Sequence, residues 1–364
     1  MSLAIVAVLA VAALWAVWPR PHVAHPAAEA SHAEQHAPTG AASASAAAQV
    51  PGAEHPAHAN APVSPSTGEP AEPTSLYETT RDDLLGVLAE RGPRAALASL
   101  DRLIRTQPAV SGLCHAVAHD LGHAALARYG GDASRALRDR DDVCGGGYTH
   151  GVVEMALGSS KNPARDLLRV CAPRQDGSCF HGVGHGLMFA TGMRPGASLR
   201  LCDRSPDSTL AHRCAEGVFM QLFSGDAAAG HMAADSSMTS DEARAQCQST
   251  RSTYQANCWF YSPNIWLAES PDDFTGALAW CAGAGSSLGR TSCARGAGSR
   301  TVKYHPDDLS IGERACAASG PLARDCVGGM ASYWSVHWKG ERPASDLCHR
   351  LQSRRMRSLC QDAA

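Results

Sequence analysis

The spacing of its cysteines constrains this chain more than any other feature. The sequence has 14 cysteines in 364 residues, and most of them form close pairs. The pairs are Cys171 with Cys179, Cys202 with Cys214, Cys247 with Cys258, Cys281 with Cys293, Cys316 with Cys326, and Cys348 with Cys360. Counted from Cys144, the second members follow at steps of 35, 35, 44, 35, 33 and 34 residues. A period in this range is typical of stacked supersecondary units.

The sequence around each pair predicts that the unit is a hairpin of two helices. A helix-start signal with Pro in the first turn precedes the first cysteine, as in "NPARDLLRVC" and "SPDDFTGALAWC". An apolar run of helical length follows the second cysteine, as in "CFHGVGHGLMFATG". We therefore predict an all-α fold over residues 75–364, built of about eight such hairpins of ~35 residues in one curved array.

The pairing predicts a disulfide within each hairpin and an oxidising, extracytoplasmic location, periplasmic or extracellular. Cys114 and Cys144 have no close partner, so elimination predicts that they bond to each other. Zinc held by cysteines would need C-x₂₋₄-C spacing, which this sequence lacks. It also lacks C-x-x-C, which removes support for thioredoxin chemistry and covalent haem attachment.

This architecture resembles the cysteine-rich Sel1-like and tetratricopeptide-like repeat proteins in its period and cysteine placement over residues 93–362. The full consensus of either repeat is absent, so the resemblance is one of architecture. It implies a disulfide-stapled helical-hairpin repeat solenoid, and a surface that binds a peptide or envelope partner.

The first 74 residues are of a different kind. Residues 3–18 are apolar and uncharged, and they predict a signal-anchor or transmembrane helix over residues 1–18, with cleavage after Ala30 left as an alternative. Residues 19–74 are rich in Ala, Pro and His, which predicts a disordered linker. The histidines of this linker could gather divalent metal ions; they are His22, His25, His32, His36, His55 and His58.

The second helices of the early units carry histidine and glutamate at equivalent positions. Pairs four residues apart lie on one helical face, and neighbouring units set such helices side by side. The predicted metal ligands are His115, His119, His123, His150, Glu154, His181, His185 and Glu216, with Glu216 at the margin. The corresponding stretches "CARGAGS" and "CVGGMAS" lack such pairs, which favours a site over a general structural role.

Imidazole and carboxylate ligands suit one or two transition-metal ions, Cu, Fe or Zn. Deoxyhypusine hydroxylase is similar in this logic alone, since it holds two irons between His-Glu pairs on successive helical repeats. Three functions stay open: a metal-dependent enzyme, favoured as an oxidoreductase with a zinc hydrolase close behind; a metal-storage or carrier protein; and a repeat scaffold. The sequence names no catalytic residue.

Other functional classes lose support from composition and motifs. The net charge is −3, and acidic and basic residues are interspersed along the chain. The chain therefore lacks the basic stripe that is typical of nucleic-acid binding. The chain has no G-x-S-x-G, P-loop or H-E-x-x-H motif. Five tryptophans of the later units could line a groove or fill the core; they are Trp259, Trp266, Trp280, Trp334 and Trp338. The expected partners are the membrane and a peptide or small-molecule substrate.

Overall fold

The computed structural model describes residues 75–173, 175–223, 238–338 and 341–363. The predicted membrane segment 1–18 and linker 19–74 lie outside this range. Within it the chain is helical and contains no strand, as predicted. None of the helices described is long and apolar enough to cross a membrane.

Nineteen α-helices make up the described part of the chain. They are α1 Leu76–Arg91, α2 Pro93–Thr106, α3 Pro108–Ser111, α4 Cys114–Arg128, α5 Ala133–Ala136, α6 Val143–Gly158, α7 Pro163–Val170, α8 Gly177–Ala190, α9 Pro195–Cys202, α10 Ser208–Phe223, α11 Ser240–Ser249, α12 Ser252–Tyr261, α13 Pro263–Glu269, α14 Phe274–Ala282, α15 Ser287–Tyr304, α16 Leu309–Ala318, α17 Ala323–His337, α18 Ala344–Arg350 and α19 Arg354–Gln361.

Several helices begin at a side chain that caps them. Asn162 accepts a hydrogen bond from the backbone of α7, and Pro163 occupies the first helical position. Asp176 caps α8 in the same way through the Cys179 amide. Thr239 and Glu242 form a capping box at α11. Each cap satisfies backbone N–H groups that have no partner inside the helix.

Six disulfides close the hairpins, and each joins one of the cysteine pairs predicted from the spacing. The bridges join Cys171 to Cys179, Cys202 to Cys214, Cys247 to Cys258, Cys281 to Cys293, Cys316 to Cys326, and Cys348 to Cys360. The bridged Cα atoms are 5.4–5.8 Å apart, within the usual range for a disulfide. A bridge of this loop length stabilises the fold by about 2–3 kcal/mol, chiefly by restricting the unfolded chain.

The second cysteine of each bridge lies inside the helix that follows the hairpin loop. Cys258 lies in α12, Cys293 in α15, Cys326 in α17 and Cys360 in α19. The first cysteine of each bridge lies at or near the end of the preceding helix. This placement agrees with the helical hairpin that the sequence predicts, because the bridge spans the loop between its two helices.

The predicted bridge between Cys114 and Cys144 is wrong. Both residues are buried free thiols. Every disulfide joins the two helices of one hairpin, whereas these two cysteines begin the neighbouring helices α4 and α6. Cys144 also lies in a left-handed turn with Gly145 and Gly146, a backbone conformation that none of the other cysteines adopts.

The free pair leads to a direct chemical prediction. The protein denatured without reductant should react with two equivalents of a thiol reagent, at Cys114 and Cys144. The folded protein should react slowly, because burial, and then the neighbouring Cys114 thiol, raise the pKa of the Cys144 thiol and so keep the reactive thiolate scarce. Peptide mapping after alkylation identifies the labelled positions. If the denatured protein had no reactive thiols, Cys114 and Cys144 would form a disulfide after all.

Seven helices form an inner row in which each packs against the next: α4, α6, α8, α10, α12, α15 and α17. Glycines permit this close packing. A Cβ at Gly151 of α6 would collide with the His119 carbonyl of α4, and one at Gly184 of α8 would collide with the Cys214 carbonyl of α10. The shorter outer helices contact chiefly their own hairpin partners, so the array curves towards its inner row.

The curvature brings early and late units into contact, whereas an open solenoid would keep them apart. Helix α17 packs against α6. Arg105 forms an ion pair with Glu341 at 3.0 Å, and Ser111 Oγ lies 3.2 Å from His337 Nε2. The repeat units are therefore arranged around a common centre, and their inner helices enclose a cavity there.

The tryptophans of the later units belong to the core. Trp259, Trp280, Trp334 and Trp338 are all buried, and Trp266 packs against the core from a partly buried position. None of them lines the central cavity. For Trp259, Trp266 and Trp280 this favours the core-filling interpretation, whereas Trp334 and Trp338 also line a second, smaller pocket.

Candidate metal centre

Seven of the eight predicted ligands lie close together, on helices α4, α6 and α8. His115, His119 and His123 follow one face of α4; His150 and Glu154 lie on α6; and His181 and His185 lie on α8. The i, i+4 spacing aligns the side chains of each helix, and the glycine contacts let the helices approach closely.

The imidazoles touch across the helix interfaces. The rings of His150 and His181 stack with centroids 4.5 Å apart. Those of His115 and His150 lie 5.2 Å apart, and those of His119 and His185 also 5.2 Å. All are buried or nearly so, which is unusual for five histidines together.

Three overlapping groups in this cluster could hold a metal ion. The ligand atoms within each group lie within 4.8 Å of one another. The first group is His115, His119 and His150; the second is His150, His181 and His185; the third is His119, His123 and Glu154. His119 and His150 each belong to two of these groups.

Hydrogen bonds orient two of the imidazoles. His115 Nδ1 lies 2.7 Å from the carbonyl oxygen of Cys144, and His185 Nδ1 lies 2.7 Å from the Gln221 side-chain oxygen. Both oxygens only accept, so each Nδ1–H donates and the lone pair remains on Nε2. A metal-binding histidine commonly donates its second ring N–H in this way. The sequence analysis missed both acceptors, although Gln221 stands out as a lone polar residue in "GVFMQLF".

A left-handed turn at the start of α6 supplies one of these acceptors. Cys144, Gly145 and Gly146 have φ values of 57°, 65° and 77°. A non-glycine residue in this region is strained by about 1–3 kcal/mol. The turn directs the Cys144 carbonyl towards His115. The strained backbone therefore orients a candidate ligand.

Two nitrogen atoms of the cluster are buried without a hydrogen-bond partner among the described residues: Nε2 of His115 and Nδ1 of His150. A buried polar atom without a partner costs about 1–3 kcal/mol. A coordinated cation would satisfy both lone pairs. The donor atoms present therefore fit a metal ion.

The electrostatic environment keeps these imidazoles neutral. Burial lowers the pKa of His119 and of His150 well below the usual value. Burial, and then the charge of Lys303, lower the pKa of His115 to about 3. Neutral imidazole is the form that binds metal ions. The Glu154 carboxylate lies 3.1 Å from His123 Nε2 and 3.3 Å from His119 Nδ1, and it could offset part of a cation's charge.

Glu216 is the one predicted ligand that belongs to none of the three groups. It forms an ion pair with Arg213 at 2.8 Å and lies 3.8 Å from His181 Nδ1. Burial acts to raise the pKa of Glu216, but His181 and Arg213 outweigh it and the pKa is lowered. Met220, one turn further along α10, places its sulfur 3.3 Å from His181 Nε2.

The cluster opens into the central cavity, whose volume is about 640 Å³. His115, His150 and His181 line it together with residues from all seven inner helices. The volume of the cavity lies in the range that is usual for small-molecule sites.

Comparisons with known protein families, with curated proteins and with solved structures found no match for this chain.

Proposed function

We propose that this protein is a metal-dependent enzyme that acts outside the cytoplasm, with one or two transition-metal ions held by the His/Glu cluster. One observation carries the proposal: His115, His150 and His181 belong to the ligand groups and also line the cavity. An ion bound there could be reached by a small molecule. Catalytic metal sites keep such an open position, whereas structural sites are closed.

The donor set favours an oxidoreductase. Six imidazoles accompany a single carboxylate in the ligand groups, and the Met220 thioether contacts His181. Imidazole with a soft sulfur nearby suits copper, and imidazole with carboxylate suits iron. A zinc hydrolase is the alternative within the same proposal, because zinc also binds imidazole readily.

The location and attachment of the enzyme form part of the proposal. Six disulfides suggest an oxidising compartment outside the cytoplasm. We propose that residues 1–18 anchor the chain in a membrane and that residues 19–74 link the anchor to the helical domain; both rest on the sequence alone. The histidines of the linker favour a second candidate, a metal carrier that collects ions and passes them to the cluster.

Azide binding to the metal-loaded protein tests the proposal. The purified helical domain should retain metal by elemental analysis. Azide should then shift the absorption spectrum of the copper- or iron-loaded form, because a vacant coordination position accepts it. Retained zinc instead would favour the hydrolase. Retained metal without an azide response would favour the carrier, and absence of metal after loading would contradict both.

A further inference from the structure

The central cavity is lined by cations as well as by the candidate ligands. Its cationic side chains are Arg213, Arg295, Arg300 and Lys303. Glu216 is the one carboxylate among the lining residues, and Arg213 already pairs with it. Arg300 therefore faces the cavity beside the candidate metal centre without a carboxylate partner among the described lining residues.

The repeat explains how these groups come to face one cavity. The second residue after the second cysteine of successive hairpins lines the cavity, as His181, Glu216, Phe260 and Arg295. The sixth residue does so as Met220, Asn264, Ser299 and Ser332. Equivalent positions thus change from imidazole and carboxylate to aromatic, amide, hydroxyl and guanidinium side chains around the ring, while the backbone arrangement repeats.

Arg300 is held in place by neutral groups. Its side chain is 5% exposed, and its Nε and one terminal nitrogen donate to the Asn264 amide oxygen and the Ser299 hydroxyl. Its guanidinium carbon lies 5.7 Å and 5.2 Å from the ring centroids of Phe260 and Tyr261. No carboxylate of the described residues lies within ion-pair distance of it. A buried charge without a counterion is costly, which indicates that the counterion is a ligand.

Lys303 and two tyrosines extend the positive wall. Lys303 follows Arg300 by three residues on α15, so the two side chains share a face, and its charge acts on His115. Tyr261 and Tyr333 line the cavity, and burial raises the pKa of each. Their hydroxyls therefore stay protonated and able to donate hydrogen bonds. Their rings, with that of Phe260, give the cavity an apolar surface.

We infer that the cavity binds a small organic oxyanion, with its charged group on Arg300 and Lys303 and its apolar body against the aromatic side chains. The planar guanidinium fork binds carboxylates and phosphates alike. This inference rests on the proposed function in that it names the substrate class of the same site. Arg300 and His115 line the same cavity, so an anion on Arg300 would lie in the cavity that the candidate ligands border.

Binding of benzoate, phenyl phosphate and neutral benzamide to the chelator-treated protein tests the inference, because no metal is then needed. Calorimetry should show that at least one anion binds and that benzamide does not. Preference for benzoate would identify a carboxylate substrate, and preference for phenyl phosphate a phosphate ester. Arg300→Met should weaken the anion about ten- to one-hundred-fold, since it removes charge-assisted hydrogen bonds.

Two further variants complete the experiment. Arg300→Lys keeps the charge without the fork and should give an intermediate affinity, so it also guards against misfolding of the methionine variant. Arg314→Met removes an exposed arginine of α16 and should bind as the wild type does. Equal binding of benzamide and the anions, or wild-type affinity in Arg300→Met, would overturn the inference. Anion binding by a protein that retains no metal would leave it standing and sink only the proposed metalloenzyme.

Discussion

Replacing His119 and His150 together with alanine is expected to abolish metal retention. The two residues take part in all three candidate ligand groups, so the double variant leaves no group intact. Loss of even an outer hydrogen-bond partner of a ligand costs about 10–100-fold in metal affinity, and loss of two direct ligands should cost more. Elemental analysis after dialysis against a metal buffer measures the effect. Circular dichroism should show nearly unchanged helix content, because alanine favours the helical conformation at both positions.

The matched control replaces two histidines that lie outside the cluster. His305 pairs with the exposed Asp272, and His349 is exposed on α18. The variant His305→Ala/His349→Ala should keep the metal content of the wild type. Equal metal retention in the cluster variant and this control would show that the seven residues form a packed polar core and that the metal binds elsewhere.

The metal-free protein is expected to lose stability steeply as the pH falls below about 6.5. Burial keeps His115, His119 and His150 neutral in the folded state, with the pKa of His115 lowered to about 3. The unfolded chain takes up protons first, so the stability from these groups is complete above about pH 6.5 and falls towards pH 3. Each histidine that stays neutral contributes a loss on the order of 1.4 kcal/mol per pH unit.

Denaturant unfolding at about pH 7 and about pH 4.5 measures this loss as a change in the free energy of unfolding. Carboxylates elsewhere also titrate in this range, so the double variant His119→Ala/His150→Ala provides the comparison. It lacks two of the three histidines and should show a clearly shallower pH dependence than the wild type. Parallel curves for the two proteins would mean that the cluster is not held neutral by burial.

The local parts of this structure follow from local sequence. Helix caps, the hairpin unit and the six disulfides depend on residues that lie within about 35 positions of one another, where spacing decides what can meet. The i, i+4 spacing likewise aligned His181 with His185 and His150 with Glu154. Glu216 met the same spacing rule but pairs with Arg213, three residues earlier on its own helix. That competing partner was visible in the sequence.

The two free thiols show what cysteine spacing alone does not predict. Twelve cysteines have partners inside a hairpin, and elimination then joined Cys114 to Cys144. Whether two such thiols bond depends on the backbone at each position. The left-handed turn at Cys144 is a conformation that no spacing rule predicts for a residue other than glycine.

By itself, the sequence determined the helical hairpins, their disulfides and the helical faces that carry the histidines, because each of these depends on short-range spacing. Only the tertiary structure decided that the array curves until α17 meets α6, and that Arg300 and Lys303 share a cavity with His115. Arg300 and His115 lie about 185 positions apart. Their meeting depends on the small packing displacement of each repeat summed over the whole ring, because each repeat contacts only its neighbours. Glycine contacts between helices permit the close packing on which each displacement depends.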